Sequence, residues 1–142
     1  MQRAIELARR AAGEGEVPVG ALIVHRDRVI AEAWNQPVGR TDPTAHAEIL
    51  AMRAAARVLD NYRLVGSTLF VTLEPCPMCV GAMIHARITR LVFGAFDPRS
   101  GAAGTVFDLT ASRELNHRIA VTGGILADEC GTLLRAFFRA RR

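Results

Sequence analysis

Residues 67–85 read STLFVTLEPCPMCVGAMIH, and two kinds of local structure meet inside them. Residues 67–73 are rich in β-branched and aromatic side chains, the composition of a buried strand. Glu74-Pro75 interrupts that run. From Pro77, a proline placed where a first helical turn tolerates it, a compact apolar segment continues to His85. The junction carries Cys76 and Cys79, two of the three cysteines in the chain. A strand running straight into a helix is half of a crossover, and such units stack into layered α/β sheets.

Working outward from this junction, residues 2–13 predict a helix stopped by Gly13 and Gly15. Residues 17–24 (VPVGALIV) and 29–34 (VIAEAW) predict two strands, antiparallel because only the polar turn 25–28 joins them. Asp42-Pro43-Thr44 offers a cap and a first-turn proline for a helix running to about Leu59. A fourth strand is expected over 89–95 and a short fifth over 118–122. A last helix is expected over about 127–139. The fold class that follows is a three-layer α/β/α arrangement, a central mixed sheet of about five strands with helices on both faces. No repeat, linker or low-complexity tract divides the chain, so residues 1–142 are expected to form one domain.

Composition narrows the function classes. The chain has a net charge of +4, and all 18 of its basic residues are arginine. Arginine suits bidentate phosphate contact and stacking on bases, so an anionic partner such as nucleic acid is permitted. No apolar run approaches the roughly 20 residues needed to span a bilayer, so no membrane role is expected. Met1 leads directly into an amphipathic segment without a cleavable leader, and a cytoplasmic protein is expected. There, Cys-x-x-Cys is a metal or redox site more often than a structural disulfide. A hydrophobic content of 50% suggests some apolar surface buried between subunits.

Each central crossover begins with reactive residues where open α/β sheets place their ligands, at strand ends and helix starts. The first carries Thr44-Ala45-His46-Ala47-Glu48, the second Pro75-Cys76-Pro77-Met78-Cys79. A helix start presents free backbone N–H groups and a positive dipole end, which favour thiolates. Cys76 and Cys79, at i and i+3, can converge on one point, and the His46 imidazole completes a set that Zn²⁺ accepts with its fourth position open. Glu48 is then the natural base for a water bound there. Residues two apart on a regular helix point to opposite sides. His46 is therefore expected at or just before the first turn, with the Glu48 side chain curling back.

His46-Ala47-Glu48 followed by Pro75-Cys76-Pro77-Met78-Cys79 resembles the signature of the cytidine deaminase-like zinc hydrolases. The likeness runs along nearly the whole chain and is closest to the branch that acts on bacterial tRNA. It includes residues 16–21 (EVPVGA), Trp34-Asn35, residues 42–48, Asn61-Tyr62-Arg63-Leu64, residues 71–76 (VTLEPC), residues 81–85, Gly101-Ala102-Ala103-Gly104, Asn116-His117-Arg118 and residues 123–127. The resemblance implies one Zn²⁺ per subunit and hydrolysis of the exocyclic amine of adenosine at the anticodon wobble position, giving inosine and ammonia. It implies an anticodon stem-loop as substrate, an arginine tRNA by family likeness, and a homodimer drawing RNA contacts from both subunits. By the same resemblance, Glu48 takes a proton from the metal-bound water, passes it to ring nitrogen 1 as carbon 6 is attacked, and then protonates the leaving amine. Asn35 hydrogen-bonds the flipped base, backbone near Ala47 and Leu73 frames it, and Asp97 touches the ribose of a neighbouring nucleotide. Phe96 stands where relatives often carry a polar residue, and its ring offers stacking instead.

Simpler readings attach to the remaining residues. Cys130 falls on one helical stripe with Leu133, Leu134, Phe137 and Phe138 and reads as a core cysteine. His25 lies in a turn and His85 at a helix end; His117 divides evenly between a structural role and facing RNA. Asn35 also suits a turn before Pro37. The arginines at 135, 139, 141 and 142 either solvate the last helix or contact RNA, and Phe138 beside them packs or stacks on a base. Two rivals share much of this pattern: a deaminase of free guanine or cytosine compounds, and a zinc-stabilised RNA-binding module without catalysis.

Overall fold

The computed structural model describes residues 1–142. Helix α1 (Gln2–Gly13) buries Ala4, Ile5, Leu7, Ala8 and Ala11 on one face, the stripe that makes it fold against a sheet. Strand β1 (Gly20–His25) starts three residues later than the hydrophobic pattern suggests. Pro18 has no N–H to give to a ladder, and the Val19 N–H turns back to the Val17 carbonyl at 2.8 Å. Arg26 and Asp27 have φ of +49° and +60°, the conformation of a tight two-residue hairpin turn, and deliver β2 (Arg28–Trp34) antiparallel to β1.

A four-residue helix that periodicity did not reveal, α2 (Pro37–Arg40), follows β2. The helix expected from Asp42-Pro43-Thr44 begins later, as α3 (Ala47–Leu59). Asp42 caps a turn of its own instead: its Oδ1 accepts the Thr44 N–H at 2.8 Å and the Thr44 hydroxyl at 2.7 Å. Then come β3 (Ser67–Leu73), α4 (Pro77–His85), β4 (Arg90–Ala95), β5 (Ala120–Thr122) and α5 (Ala127–Arg139). The fifth strand is two residues shorter than expected at its start.

The sheet order is β2-β1-β3-β4-β5, with β1 antiparallel to both neighbours and β3, β4 and β5 mutually parallel. Helices cover both faces, as the sequence implied. Odd-numbered strand residues, among them Ile23, Leu69, Val71, Leu91 and Phe93, form the main core with Leu50, Met52, Val80 and Met83 from α3 and α4. The other face receives α1 and α5. Contact there is close at Gly94, where an added Cβ would lie 2.5 Å from the Cys130 sulfur. Cys130 itself is buried among Ile5, Ala95 and Leu133. No helix is long and apolar enough to cross a membrane.

Candidate metal and catalytic centre

The central strand β3 and the segment ahead of α3 bring two helix starts together. His46 is the residue immediately before α3, in extended backbone (φ −69°, ψ 150°). Cys76 holds the same place before α4 (φ −74°, ψ 169°), with Pro77 as the first helical residue. Neither side chain is spent on capping its helix, so both are free for a ligand. The His46 Nδ1 lies 3.5 Å from the Cys79 sulfur and 3.7 Å from the Cys76 sulfur. The three donor atoms lie within 4.8 Å of one another.

These distances fit zinc. With Zn–N of about 2.0–2.1 Å and Zn–S of about 2.3 Å, a tetrahedral site places its N and S ligands roughly 3.6 Å apart. Two soft thiolates and one imidazole are also a donor set typical of zinc, and three protein ligands leave a position open.

The electrostatics are those of a charged cluster in a half-buried pocket. Hydrogen bonding from the Cys79 thiol, assisted by His46, pulls the Cys76 thiol down to about 4, despite its burial. Cys79 is raised, because it shares a proton with Cys76 and is buried. His46 is raised by its bond to the Cys76 sulfur, against the effect of burial. Glu48, in the first turn of α3 and only 4% exposed, has its carboxyl pushed up to about 7 by burial. The proximity of His46 pulls it back only in part. A carboxyl poised near neutrality, in reach of the Cys79 sulfur, is suited to taking and giving a proton.

Asn35, which is buried at the end of β2, points its Oδ1 at the Ala47 N–H, 2.8 Å away. Its Nδ2 makes no bond within the chain, yet it is not among buried atoms lacking a partner, so it opens toward solvent and is available to a ligand. The Ala47 N–H is correspondingly committed to Asn35. Leu73 ends β3 half-buried, opposite Ala95. Asp97 lies in the loop after β4, its carboxylate turned onto its own loop. Oδ1 accepts the Arg99 and Ser100 N–H groups at 2.9 and 3.3 Å, and Oδ2 the Ser100 hydroxyl at 2.8 Å. Of a carboxylate's four acceptor positions one remains, on Oδ2. Phe96 is 55% exposed and packs edge-on against Phe93. Phe138 is 48% exposed at the end of α5, edge-on to Phe137, and no hydrogen bond or ring contact joins it to the metal ligands.

The first 95 residues match the family model for the cytidine and deoxycytidylate deaminase zinc-binding region. The chain belongs to this family. It is 52% identical to the tRNA-specific adenosine deaminase of Haemophilus influenzae, over 100% of this chain and 83% of that protein. A solved structure from studies of A-to-I editing by tRNA:A34 deaminases superposes with a TM-score of 0.92 and 41% identity, covering 94% of this chain and 97% of that one. The guanine deaminase of Nitrosomonas europaea superposes at 0.79 with 31% identity, covering 96% of this chain and 81% of that one. The chain is thus a zinc deaminase by family, and it shares more with the tRNA deaminase structure than with the guanine enzyme.

The sequence reading assigned no role to two buried acids of this deaminase. Glu16 is buried and accepts the N–H groups of Val38 and Gly39, at 3.2 and 2.7 Å, tying α2 down beside Asn35. Glu74 is 1% exposed and gathers the loop after β4. The signal for Glu74 was an acid inside an apolar run, which must find partners or stay neutral, whereas Glu16, beside Glu14 and Gly15, gave none. Other residues have simple roles. His117 Nε2 meets the Ile88 carbonyl at 2.7 Å and His25 bonds Ser67, so both are structural. Arg141 lies 3.6 Å over the Phe137 ring and donates to the Gly15 carbonyl, so it fastens the chain end to the α1–β1 connection.

Proposed function

We propose that this chain is a zinc-dependent tRNA adenosine deaminase that converts adenosine at the anticodon wobble position to inosine and releases ammonia. The deamination chemistry rests on the His46–Cys76–Cys79 cluster with a buried, near-neutral Glu48 beside it, and the observation that favours a tRNA substrate is the 52% identity to a tRNA-specific adenosine deaminase along the whole chain. His46, Cys76 and Cys79 would hold one zinc per subunit. When bound, zinc supplies Lewis acidity at its open position, activating a water at neutral pH. Glu48 takes one proton from the attacking water and gives it to ring nitrogen 1 as the oxygen bonds to carbon 6; it then takes the second proton from the new hydroxyl and delivers it to the amine as the carbon–nitrogen bond breaks. Water and adenosine are consumed; inosine and ammonia leave.

Asn35 donates from Nδ2 to the flipped base, and the backbone around Ala47 and Leu73 frames the ring. Asp97 accepts from a neighbouring ribose 2′-hydroxyl through its remaining Oδ2 position, and Phe96 and Phe138 offer faces on which flanking bases stack. Residues 1–142 act as one deaminase domain in the cytoplasm, on the anticodon stem-loop of an arginine tRNA.

The working unit is a homodimer with RNA contacts from both subunits. An apolar groove of ≈ 450 Å³ between α3 and α4, lined by Ile49, Met52, Ala56, Tyr62, Met78 and Ala82, supports this. Tyr62, which is 67% exposed in the single chain, belongs to that lining.

The test is mass analysis of nucleosides after incubation with an anticodon stem-loop carrying wobble adenosine. Inosine in the stem-loop and near-inertness toward free adenosine, cytidine and guanine are expected, since free bases supply no remote contacts. Binding should weaken steeply with salt as phosphate contacts release counterions. Faster turnover of free guanine or cytidine, without salt-dependent RNA binding, would overturn the tRNA assignment.

A further inference from the structure

Glu74 occupies an unusual position. It follows β3 directly, precedes the cysteine turn by one proline, and is 1% exposed with no cation beside it. Its charge is met entirely by donors from one distant segment. Oε2 accepts the Asp97 N–H at 3.0 Å, and Oε1 accepts the N–H groups of Ala103 and Thr105, each at 3.1 Å. The Thr105 hydroxyl closes on Oε2 as well. Two backbone bonds zip the same strips together: the Glu74 N–H to the Ala95 carbonyl and the Ala102 N–H to the Pro75 carbonyl, both 2.8 Å. The cradle leaves no spare room, since a Cβ at Gly101 would lie 2.4 Å from Oε2.

A buried carboxylate with four donors is held where it is by all of them, and it holds them in return. The loop from Asp97 to Thr105 has few other ties at its start. Asp97 bonds only within its own loop through its side chain, and the bond from its N–H to Glu74 joins it directly to the strip that leads into the cysteine turn, between the two backbone bonds that flank it. We infer that Glu74 is a positioning residue for substrate binding: it fixes the Asp97–Thr105 loop against the metal-binding turn and acts on the substrate through Asp97. This rests on the reading of Asp97 as a ribose contact.

The experiment compares Glu74→Gln, Asp97→Asn and the double variant on the anticodon stem-loop. Zinc content, melting temperature, kcat and KM are measured for each. Gln keeps the volume of Glu74 but turns an NH₂ group toward donors, so the loop loosens. Expected for Glu74→Gln are a lower melting temperature, one zinc per chain, kcat within about threefold of the parent, and KM raised on the order of tenfold. A merely structural role would not split KM from kcat.

The double variant should be no worse than about twofold beyond the stronger single, because both changes remove one unit. Unchanged KM in Glu74→Gln, loss of zinc and kcat in place of KM, or multiplication of the two single effects would overturn the inference. If Glu74→Gln does not fold, Thr105→Val removes only the hydroxyl donor, and its KM should rise about twofold to threefold. A KM equal to the parent's in Thr105→Val would then overturn it. A silent Asp97→Asn beside a raised KM in Glu74→Gln would sink the ribose contact and the route through Asp97, separately from the tRNA assignment itself.

Discussion

Glu48 and Glu74 are 4% and 1% exposed, and each lies within two residues of a metal ligand. Their surroundings differ in hydrogen-bond supply. Glu74 receives three backbone N–H groups and a hydroxyl. Glu48 sits in a pocket where burial outweighs every stabilising contact and lifts its carboxyl to about 7. The first arrangement makes a fixed anchor. The second leaves a proton that can be exchanged. Burial alone therefore does not mark a catalytic acid; burial without enough donors does.

The largest effect expected is loss of the cluster that Glu48 serves. Cys76→Ser should lose zinc and all turnover, whereas Cys130→Ser, altered only in the α5 core, should match the parent in metal content. Loss of metal from Cys130→Ser would mean that the ligand set is wrong.

Next in size, Glu48→Ala should fold and keep its zinc yet deaminate at least ~10²–10⁴-fold more slowly. Near-normal turnover by a zinc-loaded Glu48→Ala would remove the distinction between the two acids.

The contrast also has a pH signature. In the metal-free protein the folded Glu48 carboxyl is raised to about 7 from 4.5. Both states are protonated below the unfolded value, so nothing is lost there. As pH rises toward 7 the unfolded chain releases its proton first, and stability falls. Glu48→Gln escapes this loss, so its advantage over the parent should open across that window to on the order of 3 kcal/mol and then stay level. Glu74→Gln should be less stable than the parent at neutral pH. Chelated protein melted from acid to neutral pH gives both curves, and a flat Glu48→Gln difference would refute the burial argument.

The smallest effect belongs to a third acid, the half-buried Asp42, whose carboxyl is lowered by hydrogen bonds from the Thr44 hydroxyl and N–H. Its contribution is present above the unfolded value of 3.8 and fades as pH falls through the lower folded one. Asp42→Ala should lower the melting temperature at pH 7 by on the order of a degree or two, a gap that narrows in acid. A gap that widens in acid would contradict the assigned bonds.

Much of this architecture was legible because its signals are local. The composition of residues 67–73, the proline at 77 and the spacing of Cys76 from Cys79 each speak within a few residues. His46 was placed ahead of its helix by a steric argument alone, and it stands there. What failed was competition between local options. Asp42 was read as the cap of α3 but folds its own turn, and α2, at four residues, is too short to have a period. Glu16 and Glu74 lie in segments that carry the family resemblance, but their roles as buried anchors were missed for a different reason. Their partners lie 22 to 31 residues away in sequence, and no window contains both halves of the bond.

The strand order carries a consequence for how the molecule comes to be. The β1–β2 hairpin closes over two residues and can form in microseconds, but β3 must then slot in on the far side of β1, after α3 has been laid across the sheet. Parallel pairing of β4 with β3 waits on the α4 crossover, and long-range pairing of this kind is slow. His46 and Cys76 are 30 residues apart, one ahead of α3 and the other just after β3, and meet through the docking of that helix and strand. The two thiols lie within one short segment, but the imidazole that completes the ligand set reaches them only through long-range pairing, so zinc finds all three donors only on the assembled sheet.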